Sequence, residues 1–309
     1  MRAGGGSPEP TPLASLADTL LVARFHFARS VRTRSALNLC ALFTLCATGS
    51  AIGFRQILKA MEDMASKTLG VPRTDTPGAM LDTLRRQGDL ASMLEAMLGN
   101  VELVEWALST PYMTVTWAWS GLGLIPFLAA AVGSEAVSPD LAGRTVRFEA
   151  LRTGRLEIVG GRFLGLAALV LIAIALSICA PLTVALFWMV EQPAVPQLLT
   201  LLAFVPRLWV WSLPFLALGV SCSCLTNNVN WARLFAAVVV VLTWVGWRLA
   251  VHYGADQLWS EAVILLLPQG WIPDLWGPGL GWLTSGLVLG ALGLSYAIPA
   301  HLLLTRRDL

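Results

Sequence analysis

Charged residues are scarce in this 309-residue sequence. Asp, Glu, Lys and Arg make up 13% of it, about half the share of roughly 25% found in a typical soluble domain. Hydrophobic residues make up 56%, and the mean hydropathy is +0.68. No single soluble core can bury that much apolar sequence, so we expect the chain to bury most of its surface in lipid. The composition therefore excludes a cytosolic enzyme and a nucleic-acid-binding module.

Cysteine is also scarce, and its placement excludes a disulfide-stabilised scaffold. All five cysteines lie inside apolar runs rather than in hydrophilic loops, whereas a disulfide framework needs them in the loops of a small secreted domain. Cys222 and Cys224 are separated by one residue, a spacing that suits neither a redox dithiol nor a zinc ligand pair. We interpret all five as ordinary buried thiols.

Sequence motifs of catalysis and cofactor binding are missing as well. The chain has no GxxxxGK[ST] phosphate-binding loop, no HExxH motif and no Gly-x-Ser-x-Gly motif, and its three histidines are far apart in sequence. No acidic residue lies in the middle of an apolar run, which argues against a proton- or ion-coupled secondary transporter. We therefore predict no catalytic residue, no metal ligand and no bound cofactor in this chain.

Six apolar runs are long enough to cross a bilayer as helices, which takes about 20 residues each. They lie near 35–54, 113–133, 163–190, 198–225, 234–251 and 282–304. The fold class predicted is an all-α polytopic membrane protein. Arginines concentrate before the first run, between the second and third, and after the sixth. The positive-inside rule then places both termini in the cytoplasm of a multi-pass protein of the cell (inner or plasma) membrane.

Three segments outside these runs complete the domain organisation. Residues 1–12 are rich in Gly and Pro, and we expect a disordered tail. Residues 13–34 have helical apolar periodicity and predict an interfacial amphipathic helix, the alternative being a loose basic tail. Residues 55–112 predict a helical extracytoplasmic insert within the six-span domain at 35–309. Methionines recur at helical spacing in this insert; we interpret them as core residues, with Cu(I) binding as the alternative.

The segment 134–162 is too charged to lie in lipid, and it has a helical pattern with two glycine breaks. It resembles the cytoplasmic loop of ABC type-2 transporter permeases, which follows the second span. The positions that carry the resemblance are Glu135, Gly143, Thr145, Arg155, Gly161 and Arg162. Arg162 stands where that family usually has lysine, so the positive charge is retained. The family's Pro-x-Ser before the arginine is replaced here by Arg152-Thr153-Gly154.

The resemblance extends over about 13–309 apart from the insert. The predicted entry helix, the six spans and the Arg306-Arg307-Asp308 ending are similar to those of the family. Residues 255–281 resemble the short outer helices that the family places between spans five and six. Within them an apolar stretch too short to cross the membrane is stopped by Pro268.

The resemblance also implies a function: the permease subunit of an ATP-driven ABC exporter. Such permeases pair with a second copy, as homo- or heterodimers, and dock on a separate cytoplasmic ATPase that binds ATP and Mg²⁺. The loop after span two contacts the ATPase as a coupling helix, here expected over 138–152, with Val146 as a further apolar contact. The residues expected at this contact are Arg144, Arg147, Phe148, Glu149, Leu151 and Arg152.

Two other classes stay open at the level of sequence. One is a membrane transporter or channel outside the ABC group, and the other is an intramembrane enzyme. A neighbouring reading frame that encodes an ATPase with a phosphate-binding loop would favour the permease over both. The transported substrate is not indicated by any motif in the chain.

Overall fold

The computed structural model describes residues 12–69, 78, 91, 101–189, 194–254, 257–277 and 279–306. Three predicted features lie wholly or mostly outside these residues: the tail at 1–12, the central part of the insert and the Arg307-Asp308 ending. Within the described residues the secondary structure is helical. Among the described residues, six helices are long and apolar enough to cross a membrane, which confirms the predicted fold class.

The helices of the described residues follow one another along the chain in the order given next. They are α1 (Pro12–Arg32), α2 (Ser35–Leu69), α3 (Val101–Ser109), α4 (Tyr112–Gly133), α5 (Ser138–Ala142), α6 (Val146–Ala150), α7 (Arg155–Ser177), α8 (Cys179–Trp188), α9 (Ala194–Leu225), α10 (Val229–Tyr253), α11 (Leu258–Leu266), a 3₁₀ turn (Pro268–Trp271), α12 (Ile272–Trp276) and α13 (Gly281–Arg306). The six spans are α2, α4, α7 with α8, α9, α10 and α13.

Two spans differ from their predicted limits. Helix α2 does not end near residue 54 but continues to Leu69, because no proline interrupts it and Leu58 still packs on the bundle. The third span begins at Arg155 rather than 163 and is broken at Ile178. Pro181 follows the break and has no backbone N–H to donate to Ser177, so a continuous helix would lose a hydrogen bond there.

One end of the bundle collects the loop at 134–154 and the helix ends around it; we call it the loop end. At this end Arg233 at the start of α10 pairs with Glu135 just after α4. The Arg155 guanidinium at the start of α7 donates to the Leu304 carbonyl near the end of α13. The arginine-bearing segments predicted to share one side of the membrane therefore lie at one end of the molecule.

Helix α9 lies at the centre of the bundle, between α4 and α13. Small residues allow the close approach of α4: a Cβ added to Gly219 would lie 2.2 Å from the Ala130 carbonyl oxygen. The indole of Trp211 is fully buried and donates to the Leu122 carbonyl at 3.3 Å. Helices α4 and α9 thus pack backbone to backbone near Gly219 and through the buried indole near Trp211.

The short helices between α10 and α13 insert between these two spans. The Tyr296 hydroxyl, in the middle of α13, donates to the Leu266 carbonyl at 2.5 Å. Gln269 is fully buried and its amide donates to the Thr243 hydroxyl at 2.9 Å. Irregular backbone at membrane depth is tolerated where protein covers it, and these side chains supply that cover at the turn around Pro268.

Helix α1 packs along the first turns of α7. The Ser15 hydroxyl donates to the Glu157 carboxylate at 2.6 Å. Further along, glycine in α7 permits contact, because a Cβ on Gly161 would lie 2.6 Å from the Val22 Cβ. The opposite side of α1 exposes Leu20 and Leu21, which suits a helix with one face on the protein and another available to lipid.

We expect Gly161→Ala to displace α1 and to lower the free energy of unfolding by about 1–3 kcal/mol, because the added methyl overpacks the contact with Val22. Gly160→Ala is the matched control, since its Cβ would meet only the Thr19 methyl at 3.5 Å. Thermal unfolding of both variants tests this. Equal unfolding temperatures for the two would show that α1 does not depend on close packing at this glycine.

Candidate functional site

The loop at 134–154 contains two short helices separated by a turn. Helices α5 and α6 flank Gly143, Arg144 and Thr145, at the predicted glycine break. The residue with left-handed backbone is Arg144, with φ of 57°, whereas Gly143 has φ of −79°. The turn is closed by Thr145, whose hydroxyl donates to an Asp140 carboxylate oxygen at 3.1 Å. The segment 138–152, which was expected to be a single helix, is therefore two short helices joined by a turn.

A buried arginine connects this loop to the third span. Arg162 is 2% exposed and lies in the second turn of α7. Its guanidinium contacts the Asp140 carboxylate at 2.8 Å and the Glu149 carboxylate at 2.5 Å. It also donates to the Ala136 carbonyl at 2.5 Å. A buried charge needs partners on several sides, and Arg162 takes one from α5, one from α6 and one from the connection after α4.

Asp140 is the shared acid of this network, and the sequence analysis missed it. Arg29 of α1 donates from one nitrogen to both Asp140 oxygens, at 3.0 and 3.2 Å. Asp140 therefore joins α1, α7 and the Thr145 turn. One feature of the sequence could have indicated Asp140. It is one of few acids in an arginine-rich segment, and an arginine buried in that segment needs a carboxylate partner.

The start of the loop is attached to α9 and α10. The Ser223 hydroxyl accepts hydrogen bonds from the backbone N–H groups of Val137 and Ser138, at 2.7 Å each. These two N–H groups would otherwise be unpaired in a buried position. The pair between Arg233 and Glu135, at 2.5 Å, is by contrast close to half exposed on both sides. The loop thus continues directly from α4 and is held by contacts to three further spans, α7, α9 and α10.

The outer face of α6 carries exposed apolar residues. Phe148 is 71% exposed and Leu151 is 83% exposed. The exposed arginines of the same loop are Arg144, Arg147 and Arg152. This face therefore combines apolar and positively charged groups.

Two residues expected at a partner contact make contacts within the chain. Val146 is 1% exposed because it packs in the chain's own core. Glu149 pairs with Arg162, and its side chain stays 31% exposed. The expectation that Val146 offers apolar surface to a partner is therefore wrong, whereas the contact expected of Glu149 stays a prediction.

The residues of the family-like motif are brought to the loop end but do not form a common pocket. Glu135, Thr145 and Arg162 make the ion pairs and hydrogen bonds described above. Arg155 donates to carbonyls at the end of α13, where a cation complements the helix dipole, and Gly161 permits contact with α1. Glu135, Thr145 and Arg162 thus bond within or to the loop, whereas Arg155 and Gly161 contact α13 and α1.

His26 of α1 lies beside this network. Its pKa is lowered from 6.5 to about 4. Burial is the largest cause, because it disfavours the charged imidazolium. The positive charges of Arg162 and Arg29 act in the same direction, and the Asp140 carboxylate opposes them. His26 is therefore neutral at physiological pH.

We expect stability to fall as the pH decreases from about 6.5 towards about 4. In this window an unfolded chain binds a proton at His26 and the folded chain does not, so protonation favours unfolding. Between pH 7 and pH 5 the loss is up to about 2 kcal/mol. His26→Gln should lose this part of the pH dependence, and the exposed His252→Gln should keep it. Thermal unfolding at both pH values measures it; an unchanged pH dependence in His26→Gln would contradict the assignment.

The chain was compared with known protein families and with curated protein sequences. A model of the ABC-2 family transporter proteins matches residues 20–275, more than half of the chain. The match includes five of the spanning helices, the whole loop with its buried ion pairs and the inserted short helices. No curated protein sequence matches the chain. A multi-pass helical domain of this kind is the membrane permease of its transporter. The chain belongs to the ABC-2 family of transporter proteins.

Proposed function

We propose that this permease is the transmembrane subunit of an ATP-driven exporter and that a separate cytoplasmic ATPase docks on α6. The observation that carries the proposal is the exposure of Phe148 and Leu151 on a loop that is otherwise fixed from within. Apolar area left in water costs about 25 cal/mol per Å² relative to burial. A docked partner would remove that cost.

The buried network suits the loop to transmit motion. Arg162 and Asp140 connect α6 and α5 to α7, and Ser223 connects the start of the loop to α9. A displacement imposed on Phe148 would therefore be passed to several spans as rigid-body movement. ATP and Mg²⁺ bind the partner ATPase, and hydrolysis there drives the movement.

The loop end faces the cytoplasm in this proposal. Support comes from the arginine-bearing segments gathered at that end. Both termini are then cytoplasmic, and the protein lies in the cell membrane. Two copies of the permease, identical or related, share one pair of ATPase subunits, as the family implies in general.

The central test is co-expression with an ATPase subunit that carries a phosphate-binding loop. We expect the two proteins to co-purify as a stable complex that hydrolyses ATP, and we expect the permease purified alone to hydrolyse none. ATP hydrolysis by the permease alone, abolished by a substitution within its own chain, would contradict the proposal.

Orientation is tested separately with single cysteines in a cysteine-free background. Arg147→Cys lies at the loop end and Leu280→Cys lies at the opposite end, and both positions are exposed. On intact cells an impermeant thiol reagent should label only the Leu280→Cys protein. The reverse pattern would place the loop outside the cell.

A further inference from the structure

A cavity of about 650 Å³ opens at the loop end, between α1, α2, α4, α7 and α10. Its volume is in the range of small-molecule sites, about 300–1,000 Å³. Phe148, on the outer face of α6, does not line the cavity. The cavity is therefore a separate feature from the proposed ATPase contact.

The lining changes from polar to apolar with depth. Along α2 it runs from Asn38 to Leu42, and α4, which has the opposite direction, contributes Leu128 before the connection that carries Glu135. The polar groups thus lie nearer the loop end, and Leu42 and Leu128 lie about one and about two helical turns deeper. This is the polarity profile of one leaflet at the boundary between head groups and acyl chains.

Two arginines reach the polar part from different helices. Arg29 comes from α1 and Arg233 from α10, and both line the cavity. Each pairs with a carboxylate, yet the side chains remain 45% and 47% exposed. The ion pairs run through one terminal nitrogen of each guanidinium, and a guanidinium carries five N–H donors. Donors therefore remain in each group for an anionic ligand.

The two carboxylates that pair with these arginines differ in how accessible they are. The Asp140 side chain is 7% exposed and is occupied by Arg162 and Thr145. His26, which also lines the cavity, is neutral. Asp140 also lines the cavity, but because it is shared with the buried Arg162 it neutralises Arg29 only in part.

We propose that this cavity binds a glycerophospholipid, with the phosphodiester between Arg29 and Arg233. Guanidinium groups bind phosphate oxygens in a bidentate fashion. The acyl chains lie against Leu42 and Leu128. Binding does not require ATPase docking; only the leaflet, the cytoplasmic one, rests on the orientation proposed above.

The test uses the full chain in nanodiscs with a phosphatidylethanolamine that carries a photoactivatable diazirine in one acyl chain. We expect cross-links to concentrate on peptides around Leu42 and Leu128. Arg233→Gln should lower their yield about tenfold, as removal of a charged hydrogen-bond donor does. Arg24→Gln, an exposed α1 arginine outside the cavity lining, is the matched control and should leave the yield unchanged.

A second variant keeps every charge. Ala131→Phe places a phenyl ring in the cavity from α4 and should also lower the cross-linking yield. If Arg233→Gln fails to fold, this variant still tests the proposal. Unlabelled phospholipid should compete, and neither inorganic phosphate nor dodecyl maltoside should. Labelling spread evenly to the exposed Leu287 of α13 and unaffected by both variants would mean annular lipid only. Competition by inorganic phosphate would mean a site for free anions. Either result overturns the proposal.

Discussion

We expect Arg162→Met to destabilise the permease by about 3–5 kcal/mol, the cost of removing one partner from a buried ion pair. The Asp140 carboxylate would remain buried with only Arg29 and Thr145 beside it. Glu149, whose side chain is 31% exposed, can turn towards water and adds less to the loss. Thermal unfolding and protease cleavage within the loop measure the effect.

Two further variants make this expectation specific. Arg233→Met removes an exposed pair of the same kind and should cost only about 0–1 kcal/mol. Arg162→Met combined with Asp140→Asn should recover part of the loss, because the buried negative charge is removed as well. If Arg162→Met unfolded at the wild-type temperature, the network could not be what positions the loop.

Phe148→Ala should weaken ATPase binding by about thirtyfold, since truncation of an aromatic residue at the centre of an interface costs about 2 kcal/mol or more. Folding should be unchanged, because Phe148 is 71% exposed in the isolated chain. Co-purification of the ATPase and thermal unfolding of the permease are measured on the same preparation.

The matched control is Phe187→Ala. Phe187 is 76% exposed in α8, far from the loop, so the same truncation there should leave ATPase binding intact. Full ATPase retention by Phe148→Ala together with a lowered melting temperature would mean that Phe148 packs within its own chain. That result would remove the main support for docking on α6.

The six spans could be predicted from sequence, but their ends could not be placed equally well. A long apolar run favours a membrane helix through its own composition, and α10 and α13 extend only slightly beyond their predicted limits. The limits of α2 depend instead on what lies beside it: Leu58 is buried against other elements. A local pattern cannot report such a contact.

In the loop too, some features could be predicted from sequence, and others depend on contacts with neighbouring elements. Glycine placement and helical periodicity predicted a helical loop with breaks, but the division of 138–152 into two short helices at Arg144 was not predicted. Val146 and Phe148 are both apolar and two positions apart, yet one is buried and the other exposed. In a helix of five residues, periodicity does not tell which side meets the bundle.

The sequence by itself determined the class of the protein: a six-span helical membrane domain with a charged loop after the second span. Transfer of a segment into lipid depends on its own composition and length, so neighbours are not needed to predict it. Only the tertiary structure decided that Arg162 is the buried arginine, that Asp140 is its shared acid and that Phe148 is left exposed. These outcomes depend on side chains brought together from separate helices, because burial of a charge is stable only where partners from other elements converge on it.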